Sequence, residues 1–97
     1  MSTEITIRHV KLSVALQNAA RSKAAKLSAD YPSIENIRVV FDQEGVKYAV
    51  TLAVQGGKAD ATATARDEDA GAALNAVFDK AASQLRRASK KRQEVRK

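Results

Sequence analysis

A chain of 97 residues has room for one domain with one modest core. It contains no cysteine, which excludes a disulfide framework and any thiolate metal site. Its apolar runs fall far short of the roughly 20 residues that cross a bilayer. Its start, Met1-Ser2-Thr3-Glu4, lacks the charged and then apolar pattern of a signal peptide. The expected compartment is the cytoplasm, with no membrane partner. Net charge is +6, from 17 basic and 11 acidic residues. Seven of the basic residues (Arg86, Arg87, Lys90, Lys91, Arg92, Arg96 and Lys97) and one acid, Glu94, fall after Leu85, so everything before is balanced at ten against ten. A basic end of this kind suits a polyanion, because clustered like charges repel one another until they are neutralised.

The first element is a strand over Thr3 to Val10, in which Ile5 and Ile7 alternate with Thr6 and Arg8. Ser13 then caps a helix to about Ala29, whose apolar arc is Leu16, Ala19, Ala20, Ala24 and Leu27. Tyr31-Pro32-Ser33 ends it, since proline disfavours helical geometry in the residue before it. In the second strand Ile37, Val39 and Phe41 alternate with Arg38, Val40 and Asp42. A turn is expected at Asp42-Gln43-Glu44-Gly45. The third strand has the cleanest period of two: Val46, Tyr48, Val50, Leu52 and Val54 share one face. Gly56-Gly57 fits a tight type I′ hairpin, for which positive φ is required. Ala59, Ala61, Ala63 and Ala65 give the fourth strand a small inner face, which suits a helix packed close against it. Asp67 or Asp69 caps the last helix, which carries Ala70, Ala73, Leu74, Val77, Phe78, Ala81 and Leu85 at helical spacing and continues to about Arg92.

The predicted fold is α+β, in the order β-α-β-β-β-α: a four-stranded mixed sheet with two helices on one face. A right-handed crossover makes the first two strands parallel. Residues 1–92 form one domain and 93–97 a short basic tail.

At 100° per residue, Lys80, Gln84, Arg87 and Lys91 make one stripe beside the apolar arc of the last helix. Arg86 and Lys90 lie on the other flank, and Arg92 adds to the basic run. After Asp79 only Glu94 is available for helical ion pairing. On the first helix Lys23 falls inside the apolar arc, with Lys26 one step round the edge. If the helices pack side by side, these two lysines join the stripe in one patch. The open sheet face carries Thr6, Arg8, Arg38, Lys47, Thr51, Lys58, Thr62, Thr64 and Arg66, and no aromatic residue. The absence of sheet aromatics disfavours base stacking there, so the protein is expected to read backbone and shape more than bases.

Catalytic chemistry finds no support. His9 is the only histidine and has no thiolate companion. Asp67-Glu68-Asp69 lacks calcium-loop spacing, and Gly56-Gly57 is not followed by the Lys-Ser/Thr helix start of a phosphate loop. No cofactor, metal or small-molecule substrate is expected.

Three segments carry a family resemblance: Val10-Lys11-Leu12-Ser13 with Ala15-Leu16, Lys23, Lys26 and Leu27; Val50-Thr51-Leu52-Ala53-Val54 with Gly56-Gly57 and the alanine strand; and Asp67-Glu68-Asp69 with Ala72-Ala73-Leu74, Asp79-Lys80, Gln84-Leu85 and a basic run. In that order and spacing, over about Ile5 to Lys91, the chain resembles the ribosome hibernation-promoting factors and ribosome-associated inhibitors, also called sigma-54 modulation proteins. The resemblance implies the same fold and no enzymatic activity. It implies binding of the small ribosomal subunit in the channel for messenger and transfer RNA, so that the A and P sites are blocked in stationary phase or stress.

The basic residues that match the family are Lys23, Lys26, Lys80, Arg87, Lys90 and Lys91; with Gln84, Arg86 and Arg92 they are the candidate RNA contacts. The chain looks like the short form, which the resemblance makes a monomer when free and a partner of a second small factor in paired ribosomes. Two features depart from the family. Asp69-Ala70-Gly71 stands where an aspartate, an apolar residue and a tyrosine are usual, and the alanines at 19, 20, 24 and 25 thin the first helix.

Two other readings compete. One is a general binder of double-stranded or structured RNA, which shares the α-β-β-β-α order. Against it, Asp67-Glu68-Asp69 stands where such domains present basic residues. The other is a protein-interaction module regulating a transcription complex.

Overall fold

The computed structural model describes residues 2–8, 10–56 and 60–95, and side chains over 3–8, 10–56 and 60–87. Six elements follow the expected order: β1 (Ser2–Ile7), α1 (Val14–Asp30), β2 (Asn36–Glu44), β3 (Lys47–Gln55), β4 (Ala61–Asp67) and α2 (Ala70–Val95). The sheet order is β1-β2-β3-β4. The crossover through α1 makes β1 parallel to β2, from Ser2 opposite Asn36 to Ile7 opposite Phe41. The two remaining pairings are antiparallel hairpins.

Alternation decides which face is covered. Ile37, Val39 and Phe41 of β2 stand opposite Val54, Leu52 and Val50 of β3, which in turn face Ala61, Ala63 and Ala65 of β4. All nine are buried in one cluster with Ala20, Ala24 and Leu27 of α1 and with Ala73, Leu74, Val77, Phe78, Ala81 and Leu85 of α2. Both helices therefore cover the same sheet face, as the sequence pattern requires. The alanines of β4 let α2 approach closely, and α2 lies over β3 and β4, whereas α1 lies towards β1.

The helix starts are set by side-chain caps. Ser13 Oγ accepts from the Leu16 amide at 3.1 Å. At α2 it is Asp69, of the two candidate aspartates, that caps: its Oδ1 accepts from the Gly71 amide at 3.0 Å and its carbonyl from the Ala73 amide at 3.0 Å. Asp67 instead receives the Asp69 amide at 2.9 Å, shaping the turn before the helix. A cap of this kind contributes about 1 kcal/mol.

Two turns differ from the sequence reading. The pairing of β2 with β3 continues to Glu44 opposite Lys47, so the hairpin turns on Gly45 and Val46, with Gly45 at φ 62°. Val46 is consequently 74% exposed at the tip and is not part of the inner face. The hydrophobic alternation ran one residue past the strand it belonged to. The second correction concerns Gly56-Gly57. Val54 pairs with Ala61, a register that a two-residue hairpin on those glycines cannot produce. Gly56 has an ordinary φ; its requirement is for space. A Cβ there would run into the Ser33 carbonyl oxygen, the Ile34 Cα and the Glu35 amide nitrogen, because β3 leaves the sheet directly beneath the segment entering β2. The Glu35 amide donates to the Gln55 carbonyl at 2.8 Å across this crossing. Gly57, Lys58 and Ala59 lie outside the described residues.

Candidate nucleic-acid interface

The basic stripe of α2 begins along the margin of the sheet. β4 is an outermost strand, and its free edge is met by side chains of α2. Gln84 Nε2 donates to the Thr62 carbonyl at 2.9 Å, and the Thr62 amide donates back to Gln84 Oε1 at 3.3 Å. One helical turn earlier, Lys80 Nζ donates to the Thr64 carbonyl at 2.9 Å. Lys80 remains exposed, and Arg87 is exposed one turn after Gln84. With Ser83 they line an open groove whose other wall is Thr62, Ala63 and Thr64. Ser83 and the β4 threonines are members of this site that helical spacing alone did not point to.

Arg86 is exposed and does not line this groove, but it donates to the groove residue Ser83 at Oγ, 3.4 Å away. Beyond it the backbone of α2 stays helical to Val95, ten residues past Leu85, the last core residue among those described. At 1.5 Å per residue that is about 15 Å of helix past the core. It carries Lys90, Lys91 and Arg92, whose side chains lie outside the described residues. The C-terminus of a helix is where basic side chains suit the backbone dipole.

Lys23 is half-buried, at helical spacing from the buried Ala20 and Leu27 and next to Ala24, and Lys26 is exposed. Among the described residues neither Lys23, Lys26 nor Arg87 has an ion-pair partner. The expected merger of the α1 lysines with the α2 stripe is not what the packing gives. The Lys80–Gln84 flank is turned to the β4 edge, whereas α1 sits on the β1 side of α2.

The open sheet face has a different character. Arg38 Nε lies 3.6 Å from Glu4 Oε1, and Arg66 Nε lies 3.5 Å from Glu44 Oε1. Such exposed pairs contribute little to stability, typically about 0–1 kcal/mol. They do offset Arg38 and Arg66 on that face, whereas the basic run at the end of α2 has Glu94 as the one acid after Asp79. Among the described residues no three acidic or histidine side chains gather as a metal site. No helix of the described residues is long and apolar enough to cross a membrane.

The family model for Sigma 54 modulation protein / S30EA ribosomal protein matches residues 3–93. The chain belongs to this family. A curated relative, the ribosome hibernation promoting factor of Pseudomonas putida, is 30% identical over 97 residues, covering 98% of this chain and 93% of the relative. Among solved structures, a ribosomal subunit interface protein from Coxiella burnetii superposes with a TM-score of 0.83 at 22% identity, covering 92% of this chain and 98% of the other. The N-terminal domain of Thermus thermophilus Protein Y gives 0.75 at 22% identity, covering 87% and 93%. These two likenesses establish the shared fold.

Against the family pattern, the tyrosine position is filled by Gly71, half-buried in the first turn of α2. A Cβ there would find ordinary van der Waals contact with Asp69 Oδ1 at 3.4 Å, so the backbone leaves room for a side chain.

Proposed function

We propose that this chain is a ribosome hibernation factor that acts in the cytoplasm, without catalysis. It binds the small ribosomal subunit in the channel used by messenger and transfer RNA, and blocks translation in stationary phase or stress by occupying the A and P sites. Family membership supports the ribosome as target, and so does the name of the Pseudomonas putida relative that it matches over nearly its whole length. The observation that carries the mode of binding is the concentration of positive charge on the helices and the end of α2, while Arg38 and Arg66 of the open sheet face are each paired with an acid.

The RNA contacts in this reading are Lys23, Lys26, Arg86, Arg87, Lys90, Lys91 and Arg92, each engaging phosphate or sugar rather than base edges. Lys80 and Gln84 contribute from the β4 margin. An ammonium has three donors, of which Thr64 takes one, and the Gln84 amide retains one N–H beyond that given to Thr62. The partners are the small subunit with its ribosomal RNA and, in ribosome pairs, a second small factor; the free protein is a monomer.

The test is co-sedimentation with vacant ribosomes and with separated subunits at low and moderate salt. Binding to the small subunit that weakens as salt rises, and that transfer RNA in the P site prevents, is the expected outcome. Absence of binding at low salt overturns the hibernation role. Equal affinity for any duplex RNA moves the protein to the general RNA binders instead.

A further inference from the structure

An outermost β-strand exposes a row of backbone donors and acceptors to which another strand can add. On β4 three of these groups, the Thr62 amide and carbonyl and the Thr64 carbonyl, are occupied from within. The Gln84 carboxamide presents an acceptor and a donor to Thr62 in the manner of a neighbouring strand, and Lys80 covers the Thr64 carbonyl. We propose that the β4 edge is a self-association surface held shut by Gln84 and Lys80, and that its occupant, once those side chains are removed, is β4 of a second copy.

The residues of β4 favour its own kind as partner. Thr62 points its amide and carbonyl outwards, and Thr64 its carbonyl. An antiparallel pairing of two copies about Ala63 sets Thr62 opposite Thr64, Ala61 opposite Ala65, and Asp60 of one copy opposite Arg66 of the other. The middle of the strand is small and has no proline; Asp60 stands just before it, and Arg66 near its end is followed by Asp67. A two-fold relation makes the register closed, and its Asp60–Arg66 pairs form in competition with bonds those side chains already make, Asp60 Oδ1 accepting from the Gly56 amide at 3.1 Å and Arg66 pairing with Glu44. The same arrangement sets the α2 flanks of the two copies face to face, with Lys80, seated on Thr64, beside Gln84 of the other copy, seated on Thr62, and with Arg87 one turn on towards that copy's Lys80. The guard therefore acts twice: it occupies the hydrogen-bonding groups, and its charge repels a second guard.

The experiment needs no ribosome, so its failure is separate from failure of the functional proposal. Hydrogen exchange is followed on the wild-type chain, and size-exclusion chromatography with light scattering compares it with a Lys80→Met/Gln84→Met variant. The wild type is expected to be a monomer with the Thr62 amide slowed by at least about tenfold relative to an unstructured peptide, the scale of one net hydrogen bond. The variant is expected to double in mass with rising concentration, with isotope-filtered contacts between Ala63 of the two copies. A Thr62 amide that exchanges freely in the wild type overturns the closure. A variant that is folded by circular dichroism but monomeric at every concentration overturns the self-association, and contacts centred away from Ala63 overturn the register. Should the double variant not fold, Gln84→Met alone must release Thr62 protection or produce the dimer, and a protected monomer refutes the proposal.

Discussion

Replacing Gly56 by alanine adds one methyl group where the structure has none to spare. The new Cβ meets the Ser33 carbonyl oxygen, the Ile34 Cα and the Glu35 amide nitrogen, all of them backbone, so no side chain can rotate away. The segment before β2 has to lift, and the first bond to stretch is the 2.8 Å hydrogen bond from the Glu35 amide to the Gln55 carbonyl. Overpacking of this kind costs about 1–3 kcal/mol. Weakening the hydrogen bond adds about 0.5–1.5 kcal/mol. Alanine returns about 0.4–1 kcal/mol by restricting the unfolded chain. The net loss is about 0.5–4 kcal/mol with a centre near 2, which at about 5 °C per kcal/mol for a domain of this size lowers Tm by about 10 °C.

Thermal unfolding followed by circular dichroism measures this directly, with a urea titration to check that m is unchanged. Gly45→Ala is the companion: nothing lies within 4 Å of its Cβ, but its φ of 62° is strained for alanine, at about 1 kcal/mol. A Gly56→Ala protein melting within two or three degrees of wild type, or above Gly45→Ala, would refute the argument that close backbone approach fixes this glycine.

Arg86→Gln/Arg87→Gln removes two cations from the first turn past the core, and should flatten the dependence of log K on log salt for ribosome binding by about 1.4–1.8, at 0.7–0.9 per contact. A slope unchanged from wild type would mean neither arginine meets phosphate. Arg38→Ala on the open sheet face breaks only the exposed pair with Glu4 and should leave ribosome affinity within twofold; a large loss in co-sedimentation would assign binding to the opposite side of the sheet. Gly71→Ala keeps the amide that caps on Asp69 and has room for its methyl group, so it should raise stability by about 0.5–1 kcal/mol, read from chemical unfolding. A loss of stability there would show that the first turn of α2 tolerates no side chain.

The elements whose residues alternate or recur at a fixed period were legible in the sequence. Val50, Leu52 and Val54 announced β3 and its inner face, and Leu74, Val77, Ala81 and Leu85 announced α2, because burial of one face leaves its period in the chain. The hairpin at Gly45-Val46 was not legible to the residue, since Val46 continues the alternation of β3 while standing outside it. Gly56 was misread for a different reason. A positive φ is a local property, but the approach of Ser33 to Glu35 is created by the tertiary fold and leaves no local mark. The site divides in the same way. Helical spacing put Lys80, Gln84 and Arg87 on one flank of α2. It could not say that the free carbonyls of β4 lie against that flank and claim Lys80 and Gln84, nor that α1 lies on the other side. The need of any outermost strand for cover is the signal that could have suggested it.

The parallel pairing of β1 carries a kinetic consequence. Every partner of β1 on β2 is 34 positions away in the chain, whereas Glu44 and Lys47 close the first hairpin at a separation of three and Val54 and Ala61 the second at seven. Closing a long loop costs more entropy than closing a short one, and no contact rewards it until the intervening helix has docked. The β2-β3-β4 meander can assemble from neighbouring sequence while β1 waits, although β1 is synthesised first. The strand at the start of the sheet order is the one the topology admits last.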